Sequence, residues 1–475
     1  MINRLGSSSY LIDAATGETV NPSDLPRVVS NFGEFLLSSG LKKGDRILIG
    51  CLLSPASGIA YLGSMYAGLV PVPVEAASLG SNGDLLVQTT GAKAVWTERS
   101  INLDCIKKND VLVMNGLPEN DSVGSFPPAP CHENDLAVLM ATSGSTGAPR
   151  FVKISHGNLT ANTEAIIRSQ HLGNDERAML ILPLNYCFGA SVFHTHLYQG
   201  GGVVFDRRFM FPDKVLRAID KYSCTSFAGV PTVYNILLRR SSIRSIPMPS
   251  LRRFLQAGGA LAPERICEMR TAVSNAQFYV MYGQTEATAR IACLDPEQFE
   301  AKLGSAGRPL DNLRVRIVDE QGRDVPTGEA GEILVKGPSI SSGYFNDAEE
   351  SSRVFCDGWL RTGDLASLDE DGYLWIKGRK SAFLKIRGVR VSLAEIETLV
   401  GALPGVQECV ATAAPHVEAG EALYLWVVPE EGVENIDQQI RRSLPAQWTC
   451  EAIHTVPEIP KNSNGKVSLS SLPKK

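Results

Sequence analysis

Thr142 to Gly147, Thr-Ser-Gly-Ser-Thr-Gly, packs hydroxyls and two glycines into six residues. Neither a helix nor a strand interior favours that composition. Glycine lets the backbone approach a ligand and take positive φ. Successive backbone N–H groups and hydroxyls in such a turn form a concave site for anions. The chemistry implied is polyphosphate binding. It is not a Walker loop, because no Gly-Lys-Ser/Thr follows at the required spacing, and the chain has no Gly-x-Gly-x-x-Gly fingerprint. Ser/Thr/Gly clusters also mark ordinary loops, so the loop alone leaves both readings open.

The elements that would carry this loop are legible around it. The apolar run Leu136 to Met140 predicts a buried strand leading in, and Val152 to Ile154 a short strand leading out. Residues 27 to 135 alternate helix and strand patterns: helix Val28–Ser39, strand Arg46–Leu53, helix Ala56–Gly68, and strands Val70–Val74 and Ala92–Thr97. A second α/β unit follows, with a helix from about Leu159 to Gln170 that Ser155 or Asn158 can cap, and a helix Ser191–Gln199. Its strands include Ala178–Leu182, Gly202–Phe205, Cys224–Ala228, Arg253–Gln256 and Gln277–Met281. Strands alternating with helices imply mostly parallel sheets, whose ligands bind beyond the carboxyl ends of the strands. Two polar clusters fall there, Gly258-Gly259-Ala260 and Tyr282-Gly-Gln-Thr-Glu286. Residues 313 to 378 switch to short strands between Gly/Asp/Pro turns, which predicts a small β-barrel-like subdomain. Beyond Gly378-Arg379-Lys380-Ser381 lies an α+β piece of about a hundred residues, large enough to fold alone. The expected fold is therefore α/β: an N-terminal domain, residues 1–380, of two α/β sheet subdomains plus the β subdomain, and a small C-terminal α+β domain, residues 381–475.

Composition narrows the function. The chain has 475 residues, a formal net charge of −5 and ordinary apolar and charged contents. Nothing in that balance suggests nucleic acid or an anionic membrane. No apolar run is long enough to span a bilayer, and the N-terminus lacks a signal core. Ten scattered cysteines without a Cys-x-x-Cys pair suit a reducing cytoplasm. His194-Thr-His196 is the only close histidine pair; its apolar neighbours suggest core or pocket lining before a metal site.

Thr-Ser-Gly-Ser-Thr-Gly-x-Pro followed by Ser-His-x-Asn resembles the phosphate-loop signature of the adenylate-forming (AMP-binding) superfamily. That family includes acyl-CoA synthetases, adenylation domains of peptide synthetases and luciferases. It usually has Lys-Gly after the proline, where this chain has Arg150-Phe151. Further stretches resemble the family's motifs in the same order, over nearly the whole chain. The resemblance implies that Thr142, Ser143, Gly144, Ser145, Thr146 and Gly147 cradle phosphates, with Gly258, Gly259 and Ala260 also at the nucleotide. It implies that Tyr282 stacks on adenine beside Gly283, that Thr285 bonds a phosphate oxygen and that Glu286 holds Mg²⁺. In Thr362-Gly-Asp364, Asp364 would accept the ribose hydroxyls. Arg379 would reach the nucleotide, and Ser381 falls at the interdomain hinge, where the family usually has Asp or Lys. Lys385 to Arg390 with Glu395-Ile-Glu397 resembles the loop lining the thiol tunnel, in wording closer to adenylation domains that serve carrier proteins. Pro460 to Val467 resembles the loop bearing the catalytic lysine, here Lys466.

The implied activity is Mg·ATP-dependent activation of a carboxylic acid to an acyl-adenylate, then transfer of the acyl group to CoA or to the phosphopantetheine of an acyl or peptidyl carrier protein. Two rivals stay open: transfer to another nucleophile such as an amine, and a nucleotide-binding relative without catalysis. The resemblance puts the acid pocket at Tyr186, Phe188, Gly189, Met281, Ala289 and Arg290. Amino-acid-activating members place Asp where Gly189 falls, and Asn185, Tyr186, Cys187, Ala190 and Ser191 supply no negative charge either. An unpaired buried ammonium is costly, so the expected acid lacks a free α-amino group: aryl, fatty or hydroxy, or a diacid. Arg290 would either salt-bridge elsewhere or face a polar or second acidic group on the substrate.

Overall fold

The computed structural model describes residues 8–100, 106, 111–118, 127–142, 149–380, 383–386, 389–416, 420–430, 432–433, 435–445, 448, 450–461, 467 and 471–472. Ser143, Gly144, Ser145, Thr146, Gly147, Ser381 and Lys466 lie outside these residues.

Arg-Ile-Leu-Ile-Gly-Cys forms strand Arg46–Cys51, buried everywhere after its first residue, as a strand covered on both faces must be. It sits inside a four-stranded parallel sheet, between Val70–Glu75 and Ala94–Thr97, with Leu112–Asn115 at the edge. Ser54 opens the helix Pro55–Tyr66 by accepting the Ser57 N–H, with Pro55 in the first turn where its missing N–H costs nothing. A helix over Ala76–Thr90, kinked at Asn82, covers the sheet; its glycine-broken sequence gave no periodic signal.

The second unit is a nine-stranded sheet. Its central run is parallel, in the order Gln277–Tyr282, Arg253–Gln256, Ser226–Gly229, Arg177–Leu180, Gly202–Phe205 and Tyr10–Asp13. Ala292–Leu294 and Arg308–Pro309 extend it antiparallel beyond Gln277–Tyr282. Tyr10–Asp13, with Thr19–Val20 antiparallel at its outer edge, thus joins strands that lie far along the chain.

Between the two units Leu136–Thr142 and Arg150–Ser155 form an antiparallel hairpin, with Thr142 opposite Arg150. Helix His156–Gln170 starts earlier than its apolar periodicity suggests, because Ser155 and Asn158 close a reciprocal capping box. Helix Cys187–Tyr198 also starts four residues early. Gly189 in its first turn allows that: a Cβ there would lie 2.4 Å from the Pro183 carbonyl oxygen and 2.7 Å from that of Leu182.

The β subdomain is a five-stranded antiparallel sheet of Arg314–Val318, Gly331–Lys336, Trp359–Leu368, Phe355–Cys356 and Leu374–Arg379. Beyond Lys380, Phe383–Ile386 and Val389–Ser392 pair as a hairpin that sets Lys385 opposite Arg390. Three more strands, Val406–His416, Gly420–Pro429 and Cys450–Thr455, complete a mixed sheet flanked by helices Leu393–Gly401 and Ile436–Ser443. Its apolar clusters begin at Ile396 and share no residue with the large core, which runs from Leu11 to Leu374. Among the described residues, the ion pair of Arg239 with Glu430 at 3.4 Å links the two parts.

Candidate functional site

Strand Gln277–Tyr282 delivers the centre of the site at its carboxyl end. The chain then doubles back, and the Ile291 N–H reaches the Tyr282 carbonyl at 2.8 Å. Gly283 makes the doubling possible: a Cβ there would lie 1.8 Å from the Ala289 carbonyl oxygen and 2.9 Å from the Arg290 Cα. Thr285 and Glu286 sit in a single 3₁₀ turn, Thr285–Ala287. Thr288 closes the turn at φ 68°, ψ −59°, a conformation that costs a β-branched residue about 1–3 kcal/mol. Its hydroxyl donates to the Ser339 carbonyl at 2.7 Å, which holds it there.

Residues 338 to 345 form a strap that binds this turn to the phosphate-loop hairpin. Asn158 Nδ2 donates to the carbonyls of Pro338 and Ile340 at 2.7 and 3.0 Å. The Ser341 hydroxyl donates to the Lys153 carbonyl at 2.7 Å, and its N–H reaches the Glu286 carbonyl at 2.9 Å. The Tyr344 hydroxyl donates to Glu286 Oε1 at 2.8 Å. Burial, reinforced by the Glu286 charge, raises the Tyr344 pKa, so the phenol stays a donor. Nothing in the sequence singled out Tyr344, Thr288 or Gln284, whose buried Nε2 has no hydrogen-bond partner among the described residues.

Asp364 is buried in Trp359–Leu368, opposite Arg379 in the ladder. Arg379 Nε lies 2.8 Å from Oδ1, and the Tyr282 hydroxyl donates to Oδ2 at 2.5 Å. The Asp364 N–H is held by the Thr362 hydroxyl at 3.1 Å, which itself donates to the Ile333 carbonyl at 2.9 Å. Burial and then the Asp364 charge push the Tyr282 pKa well up, so this phenol too remains protonated. Three sequence-remote motifs thus meet at one carboxylate.

Thr142 ends its strand beside the phosphate-loop segment. Across the hairpin Arg150 is engaged away from it. Its Nε lies 3.4 Å from Asp347, its Nη1 3.2 Å from Glu350, and its guanidinium stands over the Tyr344 ring. Phe151 is buried in the core. Arg150 therefore ties the hairpin to the start of the helix Ala348–Val354.

The acid-pocket residues gather between the strand ends and helix Cys187–Tyr198. Gly258, at φ +87°, lies under the Tyr186 hydroxyl, where a Cβ would come within 2.4 Å. Gln256 Nε2 donates to the Gly259 carbonyl at 2.8 Å, fixing the turn that continues into Ala260. Tyr186 and Phe188 pack edge to face. Met281 is buried in the strand, its sulfur touched by Gln170 Nε2. Ala289 and Arg290 follow Thr288, and Asn162 clamps the Arg290 backbone through both its N–H and its carbonyl, at 3.2 and 2.9 Å. The first expectation for Arg290, a salt bridge to a protein carboxylate, is corrected: no such pair occurs among the described residues. His194 meets the Tyr61 hydroxyl at 3.1 Å, and His196 spends both ring nitrogens on the Val192 carbonyl and the Ser226 hydroxyl, each at 2.8 Å. Burial pulls both pKa values down, so both rings are neutral core groups.

The model of the AMP-binding enzyme family matches residues 6–345, and that of the AMP-binding enzyme C-terminal domain matches residues 395–466. The chain belongs to the AMP-binding enzyme family. A feruloyl-CoA synthase from Amycolatopsis sp is 30% identical over 462 residues, 95% of this chain and 93% of its own. ATP-bound MatB from Rhodopseudomonas palustris superposes with a TM-score of 0.90 at 26% identity, covering 99% of this chain and 97% of that one. An o-succinylbenzoate CoA synthetase from Bacillus subtilis, bound to its acyl-adenylate intermediate, does so at 0.87 and 25% identity, covering 98% and 95%. The family chemistry is that of an AMP-forming acid–thiol ligase: a carboxylic acid is activated as an acyl-adenylate and its acyl group passes to a thiol. No described helix is long and apolar enough to cross a membrane, and no disulfide joins the described cysteines.

One carboxylate of the site could hold a divalent metal. Mg²⁺ is usually held by one or two carboxylates together with substrate phosphates. Glu286 offers one carboxylate whose Oε1 is oriented by Tyr344 while Oε2 makes no hydrogen bond among the described residues.

Proposed function

We propose that this enzyme activates an organic acid without a free α-amino group, with the nucleotide held across the carboxylate of Asp364. The observation that carries this is the Tyr282–Asp364–Arg379 junction: one buried carboxylate, oriented by two donors, beside the Thr285–Glu286 turn. An ionised Asp can accept both hydroxyls of a ribose diol. Gly258, Gly259 and Ala260 would border the base, and Thr142 with the residues up to Gly147 would take the phosphates. Glu286 would hold Mg²⁺, which when bound neutralises charge on the phosphates. The acid's carboxylate oxygen attacks the α-phosphorus, the bond to the β-phosphate breaks, and pyrophosphate leaves. Lys466 would meet the charge that builds between carboxylate and α-phosphate. Residues 381–475 would then turn about Ser381 to admit the thiol. CoA is the acceptor favoured by the relatives' names; phosphopantetheine on a carrier protein is the variant to test against it. A cytoplasmic setting fits both.

Two features support exclusion of an α-amino acid. At Gly189 a side chain would run into the Leu182 and Pro183 carbonyls, so the anion that pairs an ammonium has no room. The guanidinium of Arg290, standing over the Phe188 ring, adds a cation that repels an ammonium. ATP–pyrophosphate exchange over a panel of aryl, fatty, hydroxy, dicarboxylic and α-amino acids tests this. Exchange is expected with acids of the first four kinds. Efficient exchange with a proteinogenic α-amino acid, and none with its deaminated analogue, overturns the reading; exchange with nothing marks a non-catalytic relative.

A further inference from the structure

Arg290 is 2% exposed. Its guanidinium lies over the Phe188 ring, 5.0 Å from the centroid. Its Nε is buried with no hydrogen-bond partner, and the guanidinium makes no hydrogen bond or ion pair among the described residues. The titratable groups facing it are Cys293, Cys187 and Tyr186. Burial raises the Tyr186 phenol and pushes the Cys293 thiol up to about 12, so neither supplies a negative charge at neutral pH. Burial also lowers the pKa of Arg290 itself, yet an arginine stays protonated in a protein.

The same sheet shows what a structural arginine looks like. Arg253 is also buried, and it reaches Glu176 at 2.6 Å and the carbonyls of Gln170 and His171 at 3.1 and 2.9 Å. Its donors are satisfied and its charge is matched. Arg290 has neither, although Asn162 fixes its backbone from two sides. A buried cation without a counter-ion is strongly unfavourable, and the aromatic face of Phe188 offsets only part of that. The missing partner is an anion that arrives from outside.

We infer that Arg290 receives a second carboxylate of the substrate, so that the acid activated here is a dicarboxylic acid with an apolar spacer. This rests on the acid-activation reading and deepens it. A planar guanidinium matches a carboxylate with two parallel hydrogen bonds. Phe188 packs under the Arg290 guanidinium and shares one apolar core with Met281 and Ala289, so the spacer would meet an apolar surface.

The test compares each of three diacids, glutarate, adipate and 4-carboxyphenylacetate, with its monomethyl esters. Pyrophosphate exchange and the thermal shift given by acid alone are both measured on wild type, Arg290→Met and Arg290→Lys. Wild type should favour at least one diacid over its esters by about tenfold or more in kcat/KM. Arg290→Met should erase or reverse that preference, and Arg290→Lys should keep part of it. Arg290→Met keeps much of the volume and removes an unpaired buried charge, so it should fold and melt no lower than wild type without ligand. Exchange that runs equally well or better with the esters in wild type overturns the role of Arg290 while leaving acid activation intact. Exchange with no acid at all sinks the activation reading instead, and the thermal shifts then decide Arg290: stabilisation by a diacid over its esters, lost in Arg290→Met, upholds it, and equal shifts overturn it.

Discussion

At the scale of single residues, the site separates groups that the fold presents as donors from those that it keeps as anions. Tyr282 and Tyr344 are held as phenols, and each donates to a carboxylate, Asp364 or Glu286, that the chemistry needs ionised. Asp364→Asn keeps the shape and one acceptor but loses the charge. Arg379 is half exposed, so breaking that pair should cost about 1 kcal/mol or less of stability. The loss should appear instead in ATP binding, as a KM raised roughly tenfold or more, since hydrogen bonds to a charged group are worth about 1.5–3 kcal/mol. A melting point that collapses without ligand, with KM for ATP unchanged, would make Asp364 structural. Lys466→Ala should slow acyl-adenylate formation about a hundredfold or more while sparing thiolation of supplied acyl-adenylate. Single-turnover measurement of each half-reaction checks this; adenylation near the wild-type rate would remove Lys466 from the mechanism.

At the scale of elements, the helix Leu393–Gly401 carries a group whose titration can be followed. Glu397 accepts the Ala411 N–H at 2.9 Å, and burial pushes its carboxyl up to about 7. The folded protein therefore keeps a proton between pH 4.5 and about 7 that the unfolded chain has released. Stability from this group falls as pH rises through that window and levels off above it. The C-terminal part should melt at a lower temperature at pH 8 than at pH 5.5, and Glu397→Gln should flatten that difference. An identical slope in wild type and variant would show that other groups set it. The same helix carries the Glu395-Ile-Glu397 motif that resembles the thiol-tunnel loop, so the variant also reports whether the proton matters to thiolation.

For the whole molecule, the apolar clusters on either side of residue 380, two before it and two from Ile396 onward, share no residue, which suggests a division there. A chain of residues 1–380 should fold and bind ATP, because Asp364, Tyr282, Glu286 and the hairpin all lie within it. It should lose adenylation, because Lys466 lies beyond it. Calorimetric titration with ATP and pyrophosphate exchange separate these outcomes. An insoluble fragment that folds only when residues 381–475 are supplied would mean that the two parts form one cooperative unit.

The sequence by itself determined the order of elements, the family and the residues that could do chemistry, because strand and helix periodicities and glycine-rich turns are local. It also placed no Asp or Glu from Asn185 to Ser191, the stretch expected to border the acid. Helix starts were less legible: His156–Gln170 and Cys187–Tyr198 begin where a capping box and a close glycine contact allow, not where apolar spacing begins. Only the tertiary structure decided which distant groups meet. It placed Tyr10–Asp13 beside Gly202–Phe205, turned Arg150 toward Asp347 and Glu350, and joined Tyr282 to Asp364. It also left the Arg290 guanidinium buried with no ion pair among the described residues, where the sequence allowed a salt bridge. The physical reason is that an ion pair or a ladder depends on which strands become neighbours, and that choice is made by burying apolar faces across the whole sheet rather than by residues adjacent in the chain.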